Sequence, residues 1–293
     1  MKTSFFTAAA VCTLLGFGAC KQEQATPNQP NYPDQEAISL VFKPEASQFK
    51  MNQRVSTETE AVSMQMTALM NSVQSLQFTP QAEGAEALVI MEKVRMEMRS
   101  PLEGMVDGGV YNSEYPDSAT GNLQVMKEMF ESLLHVPVKH QVSARGKVAT
   151  VAENDSLSAK VQKALGNAYN SQSALWVMPL PEQPVKPGDA WEESQTIASE
   201  MGEIQTVTTY TLLRYTADSA FVQMSSTGHL PQPKGAFAQA KVKFQETGEL
   251  VLHRTFGYVL TSNRHSEVEV ILTMMGIDMT TRVKSNSAYW LEK

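Results

Sequence analysis

Apolar and polar side chains alternate through most of this sequence. Residues 93–99 read Lys93, Val94, Arg95, Met96, Glu97, Met98, Arg99, a period of two with the charges on one face. That pattern predicts a half-buried strand. Residues 240–246 set Ala240, Val242 and Phe244 against Lys241, Lys243 and Gln245, and Val268, Val270 and Leu272 alternate with Glu267, Glu269 and Ile271. Val62, Met64, Met66, Ala68 and Met70 alternate likewise, with Leu76 and Phe78 following after Asn71-Ser72. Met66, Leu69, Met70 and Val73 also fit helical spacing, but the longer alternation favours a hairpin of strands broken at Asn71-Ser72. The run from Ile204 to Leu213, rich in Thr, Val and Tyr, has strand composition.

Two segments follow the helical period instead. Met126, Met129, Phe130, Leu133 and Leu134 predict an amphipathic helix over 122–135. Leu157, Val161, Ala164, Leu165 and Ala168 predict another over 156–170, capped by Asp155 or Ser156. Together the patterns predict a β-dominated α+β fold: curved antiparallel sheet with two or three short helices packed on one face. An internal echo points to two duplicated β units. Lys43-Pro44, Phe49 and residues 87–91 recur as Lys186-Pro187, Trp191 and residues 220–224. The candidate halves are 37–178 and 179–293.

The N-terminus has a different character. Lys2 precedes an apolar stretch from Phe5 to Phe17, and Gly18 and Ala19 lead into Cys20. This is the layout of a secretory signal. It is shorter than the roughly 20 apolar residues that cross a bilayer. Phe17-Gly18-Ala19-Cys20 resembles a bacterial lipobox, with Phe17 in place of the usual leucine. The resemblance implies a signal peptide over 1–19 and a diacylglyceryl group on Cys20. Residues 21–36 carry Pro27, Pro30 and Pro33 among Gln, Asn and Asp, with no aliphatic side chain larger than that of Ala25. Such a segment buries too little apolar surface to order itself, so 20–36 is expected to be a disordered tether and 37–293 the folded body. Two acyl chains give durable membrane attachment at ~0.8 kcal/mol per buried CH2. Lys21 follows the cysteine, not Asp, which by Gram-negative sorting rules implies the outer membrane, facing the periplasm or the surface.

Composition narrows the functional classes. Of two cysteines, Cys12 leaves with the signal and Cys20 is the lipid carrier, so the body has neither a disulfide nor a free thiol. A net charge of −7, spread along the chain, argues against nucleic acid as a partner.

The chain also resembles a family of uncharacterised bacterial lipoproteins of similar length, known as a domain of unknown function. The likeness rests on the lipobox, on residues 143–148 (Ser-Ala-Arg-Gly-Lys-Val) and on residues 180–191 (Leu-Pro-Glu-Gln-Pro-Val-Lys-Pro-Gly-Asp-Ala-Trp). Thr247-Gly248-Glu249-Leu250, followed by Phe256-Gly257-Tyr258, adds to it. The family implies no activity and no functional residues.

Candidate chemistry is sparse. The sequence holds no Gly-x-Ser-x-Gly elbow, His-Glu-x-x-His, P-loop or Gly-x-Gly-x-x-Gly, so no catalytic residue and no cofactor is expected. His135, His140, His229, His253 and His265 lack metal-ligand spacing, and no metal site is expected. Pro187-Gly188-Asp189 predicts a turn that places Trp191 at a strand start, as a core anchor or a ligand-stacking ring. Seventeen methionines are numerous. Met64, Met66, Met96 and Met98 fall on predicted strand faces, where thioethers fill cores or adaptable apolar pockets. Trp191 and these four are the candidate ligand contacts. The expected function is non-catalytic: a membrane-anchored envelope lipoprotein binding an apolar small molecule or an envelope protein, or else a scaffold with a solid core.

Overall fold

The computed structural model describes residues 33–61, 64–100, 108–121, 123–150, 175–199, 202–234, 239–274 and 277–292. Among the described residues the alternating segments form twelve strands. They are β1 (Ser47–Ala61), β2 (Met64–Gln81), β3 (Gly84–Arg99), β4 (Gly109–Asn112), β5 (Pro137–Val142) and β6 (Val148–Thr150), then β7 (Ala190–Ser199), β8 (Gly202–Tyr215), β9 (Ser219–His229), β10 (Lys241–His253), β11 (Val259–Met274) and β12 (Ile277–Glu292). A 3-10 turn at Pro116–Ser118 leads to one helix, α1 (Leu123–Leu133).

All twelve strands belong to one sheet, ordered β6-β5-β3-β2-β1-β12-β11-β10-β9-β8-β7, with β4 beside β3. Every strand pairing is antiparallel. The α+β expectation is therefore corrected. With 66% strand and 5% helix among the described residues, the protein is there nearly all antiparallel sheet. Among the described residues a single α-helix is present where two or three were expected. The expected helix at 156–170, like Cys20 and the tether up to residue 32, lies outside the described residues. The sheet needs no helical layer because it supplies its own second wall. Laid flat, the eleven strands of the main path would hold β6 and β7 roughly 48 Å apart at 4.8 Å per strand. Instead Lys147, beside β6, meets Glu193 of β7 at 3.1 Å. The sheet curls until its edges meet.

The hairpin break at Asn71-Ser72 is also corrected: β2 continues through it. Ser72 faces inward and is 3% exposed, and its hydroxyl donates to Gln53 Oε1 at 3.3 Å. A polar residue inside the curl has a partner there, so it does not end the strand.

The alternation sorts charge to the convex side. Register aligns Lys243 with Glu269, Glu269 with Arg282, and Arg282 with Glu60. Lys243 and Arg282 lie 3.6 and 3.1 Å from Glu269. Rows of charge on the outer face suit water, whereas a membrane-spanning barrel presents an apolar band there. Among the described residues no helix is long and apolar enough to cross a membrane.

The main core fills one end of the curl, where the β2–β3, β8–β9 and β10–β11 turns lie. Two extended segments close this end. Ile38 and Val185 exchange backbone hydrogen bonds of 2.8 and 2.9 Å, and Val259 N–H donates to the Trp176 carbonyl at 2.8 Å. These segments carry Phe42 and Trp176, both fully buried. Phe78 lies within 5.6–6.0 Å, ring to ring, of Phe42, Phe49, Trp176 and Tyr258. The β10–β11 turn fits under residues 41–42 because Gly257 has φ +74° and no side chain. A Cβ there would strike the Val41 backbone carbonyl. Gly257→Ala is expected to destabilise the protein by about 1–3 kcal/mol, measured by urea unfolding.

Candidate functional site on the concave face

Register converts isolated polar residues into a row. Glu193, Thr208, Ser226, Glu246, Ser266, Ser285 and Thr57 are consecutive cross-strand partners from β7 through β12 to β1. All seven occupy the inward phase of their strands. Five of them, Thr57, Ser226, Glu246, Ser266 and Ser285, are between 0% and 4% exposed. Buried polar groups need partners, and neighbouring members of the row supply them: Thr57 Oγ1 lies 3.1 Å from Ser285 Oγ, and Thr208 Oγ1 bonds Ser226 Oγ.

The charged centre of the row is Glu246. Arg264, two residues along β11 from Ser266, the direct partner of Glu246, brings Nη1 to 3.9 Å from Glu246 Oε1. Gly248 lies opposite Arg264, and a Cβ there would crowd the Arg264 Cγ. The absence of a side chain leaves the arginine room to lie across the sheet. Arg264 Nε donates to Ser262 Oγ at 3.0 Å. Burial raises the Glu246 pKa, and Arg264 opposes the rise. Tyr210 is pushed up to about 12, first by burial and then by the Glu246 and Glu193 charges, with Arg264 opposing them. Each of these groups therefore favours its protonated, neutral form more than it would in water.

Beyond β1 the concave face turns apolar and rich in methionine. Val94, Met96, Tyr111, Leu123 and Phe130 form a second buried cluster, separate from the main core, with Ala68, Met70, Met91 and Met98 packed against it. Register places Met70 opposite Met96 and Ala68 opposite Met98. Helix α1 lies over this patch. Phe130 stacks on Tyr111 at 5.1 Å between centroids, 15° from parallel. The Tyr111 hydroxyl is buried with no hydrogen-bond partner. Its pKa is raised by burial and by the Glu131 charge.

The structure disperses some of the expected ligand contacts. Met96 and Met98 join the methionine patch. Met66 lies opposite Thr59 on the concave face and is buried outside that patch. Met64 starts β2, and its side chain lies outside the described residues. Trp191 packs against the main core, donates Nε1–H to the Pro179 carbonyl at 3.0 Å and stacks on Tyr210 at 5.7 Å. It acts as a core anchor. The histidines do not converge. His140 is buried at the closed end, where burial lowers its pKa to about 4. His265 meets Asn286 on the convex side, and His135 sits exposed just past α1. Among the described residues no three His, Cys, Asp or Glu side chains are placed to hold a metal.

Sequence reading missed Glu246, Arg264 and Tyr111. A signal existed for the first. Extending the phase of Val242 and Phe244 by two residues puts Glu246 inside, a charge where an apolar residue is expected. An open cleft of about 640 Å3 outside the closed end, lined by Ile38, Val41, Ala217 and Arg254, makes a weaker site. Its guanidinium already lies over the Tyr215 ring and donates to the Thr216 carbonyl.

The molecule thus belongs to the class of single-sheet proteins curled around a largely filled interior. No family model matches the chain, and no curated protein matches it. Among solved structures, DynF from the dynemicin biosynthesis pathway of Micromonospora chersina aligns over 92% of both chains, with 8% identity and a TM-score of 0.20. A likeness that slight carries no argument about this chain.

Proposed function

We propose that this chain is a non-catalytic lipoprotein of the cell envelope, held to the outer membrane by acyl chains on Cys20, whose β body binds an apolar ligand. The observation that supports ligand binding is the methionine patch: Met70, Met91, Met96 and Met98 around Tyr111, roofed by one helix and set apart from the main core. Flexible thioethers repack around guests of varied shape. The tether would leave from the closed end, since Gln35 Nε2 donates to the Tyr215 carbonyl at 3.2 Å and the Tyr215 hydroxyl donates to the Glu36 carbonyl at 2.9 Å. The methionine patch would then be displayed on a body whose charged outer face stays in water.

A second reading, an interaction scaffold that engages an envelope protein through its surface, draws support from the near-zero exposure of Thr57, Ser266 and Ser285, which marks the centre of the curl as filled. Two measurements test these readings. Cys20→Ser is expected to move the protein from the membrane to the soluble fraction and to abolish labelling by palmitate; a variant still firmly membrane-bound overturns the anchor. Native mass spectrometry of the parent released from membranes is expected to show a bound apolar molecule in addition to the anchor. Bare protein in repeated preparations favours the scaffold.

A further inference from the structure

We infer that the space between α1 and the β2–β3 face is the ligand site, and that it takes a neutral apolar molecule bearing one hydrogen-bond acceptor, such as an ester or ketone, which receives the Tyr111 hydroxyl proton. This deepens the apolar-ligand reading and rests on it.

Three independent features meet at this place. The first is the orphaned hydroxyl. Tyr111 is fully buried and its oxygen has no hydrogen-bond partner. A phenol O–H desolvated without a partner is costly, and buried tyrosines usually find one. An acceptor arriving under the helix would satisfy it. The second is the floor, built from Met70, Met91, Met96 and Met98, the most adaptable of apolar side chains. The third is how the roof is fastened. Before α1, Thr120 N–H donates to the Val110 carbonyl at 3.0 Å and Val110 N–H donates to Thr120 Oγ1 at 3.1 Å. After it, His135 N–H donates to the Met91 carbonyl at 2.8 Å. The ends of the helix are bound to β4 and β3. On its polar side Lys127 pairs with Asp117 at 2.8 Å and with Glu131 at 3.7 Å, both exposed, and such pairs add little stability. A guest entering under α1 would lift the middle of the helix while its ends stay attached.

The charges around the hydroxyl select the ligand class. Burial and then the Glu131 charge raise the Tyr111 pKa against the opposing Lys127 charge, so the proton stays on the oxygen and the group donates. Lys127 is already paired with Asp117 and Glu131 and so is engaged before any carboxylate arrives. A neutral acceptor fits these surroundings best.

The test uses the whole mature chain carrying Cys20→Ser, with 13C-methyl methionine, and two probes: methyl decanoate, and undecane as the acceptor-free control. Both are expected to shift the methyl signals of Met70, Met91, Met96 and Met98 saturably. Tyr111→Phe, checked by its melting temperature to be no less stable than the parent, is expected to weaken methyl decanoate binding about 2- to 10-fold and to leave undecane binding unchanged. Equal ester affinity in the two proteins overturns the role of Tyr111. Shifts confined to other methionines overturn the site but leave the apolar-ligand reading intact. If neither probe shifts any methionine and membrane-derived protein is bare, both fall.

Discussion

Phe78→Ala is expected to cost about 3–5 kcal/mol, the range for truncating a buried aromatic where neighbours cannot collapse into the cavity. Phe78 is 1% exposed and touches four rings: Phe42 from the segment after the tether, Phe49 from β1, Trp176 from the closing segment and Tyr258 from the β10–β11 turn. These rings come from parts of the chain far apart in sequence. The void left by alanine would be walled by backbone held in separate hydrogen-bonded units, so little relaxation can fill it. The check is the urea midpoint, compared with Gln77→Ala, whose side chain is exposed on the other face of the same strand and whose loss should be near zero. A deficit below about 1 kcal/mol for Phe78→Ala would contradict close packing at this end of the curl.

Arg264→Met is expected to cost about 3 kcal/mol at neutral pH, because it leaves the Glu246 carboxylate buried without its cation. The effect should carry a pH signature. Burial already raises the Glu246 pKa in the folded protein, and Arg264 is the charge opposing that rise. Without the arginine the folded pKa climbs further above the unfolded value. Between the two pKa values the folded state binds more protons than the unfolded state, so stability falls as pH rises through that window and returns as pH falls. Unfolding curves from pH 8 down to about pH 5 should therefore show the deficit of Arg264→Met shrinking on acidification. Glu193 and Tyr210 face the same region in variant and parent alike, so the difference between the two proteins is the quantity to measure. A deficit constant across the range would show that Glu246 is not the group left unpaired.

Much of the local structure was legible in the sequence. Val242 and Phe244 point inward while Lys241 and Lys243 point outward, as their alternation requires. Val94, Met96 and Met98 line the concave face for the same reason. Phe130 and Leu133, at helical spacing, are buried on one side of α1. The polar row was not legible, because each member looks like a single interruption within its own strand. Ser285 and Thr57 become neighbours only when β12 pairs with β1, across 228 residues of sequence. Ser72 misled for a related reason: alone it resembles a turn residue, and only its inward neighbour Gln53 explains it.

The sequence by itself therefore determined which positions prefer water and which avoid it, and so the type and phase of most strands, since that information repeats every two residues. Only the tertiary structure decided that the two candidate halves form one sheet, that the sheet curls on itself instead of resting on helices, and that one tyrosine hydroxyl is sealed under α1 without a partner. Those outcomes depend on strand order and closure, which arise from contacts between distant segments and leave no local period to read.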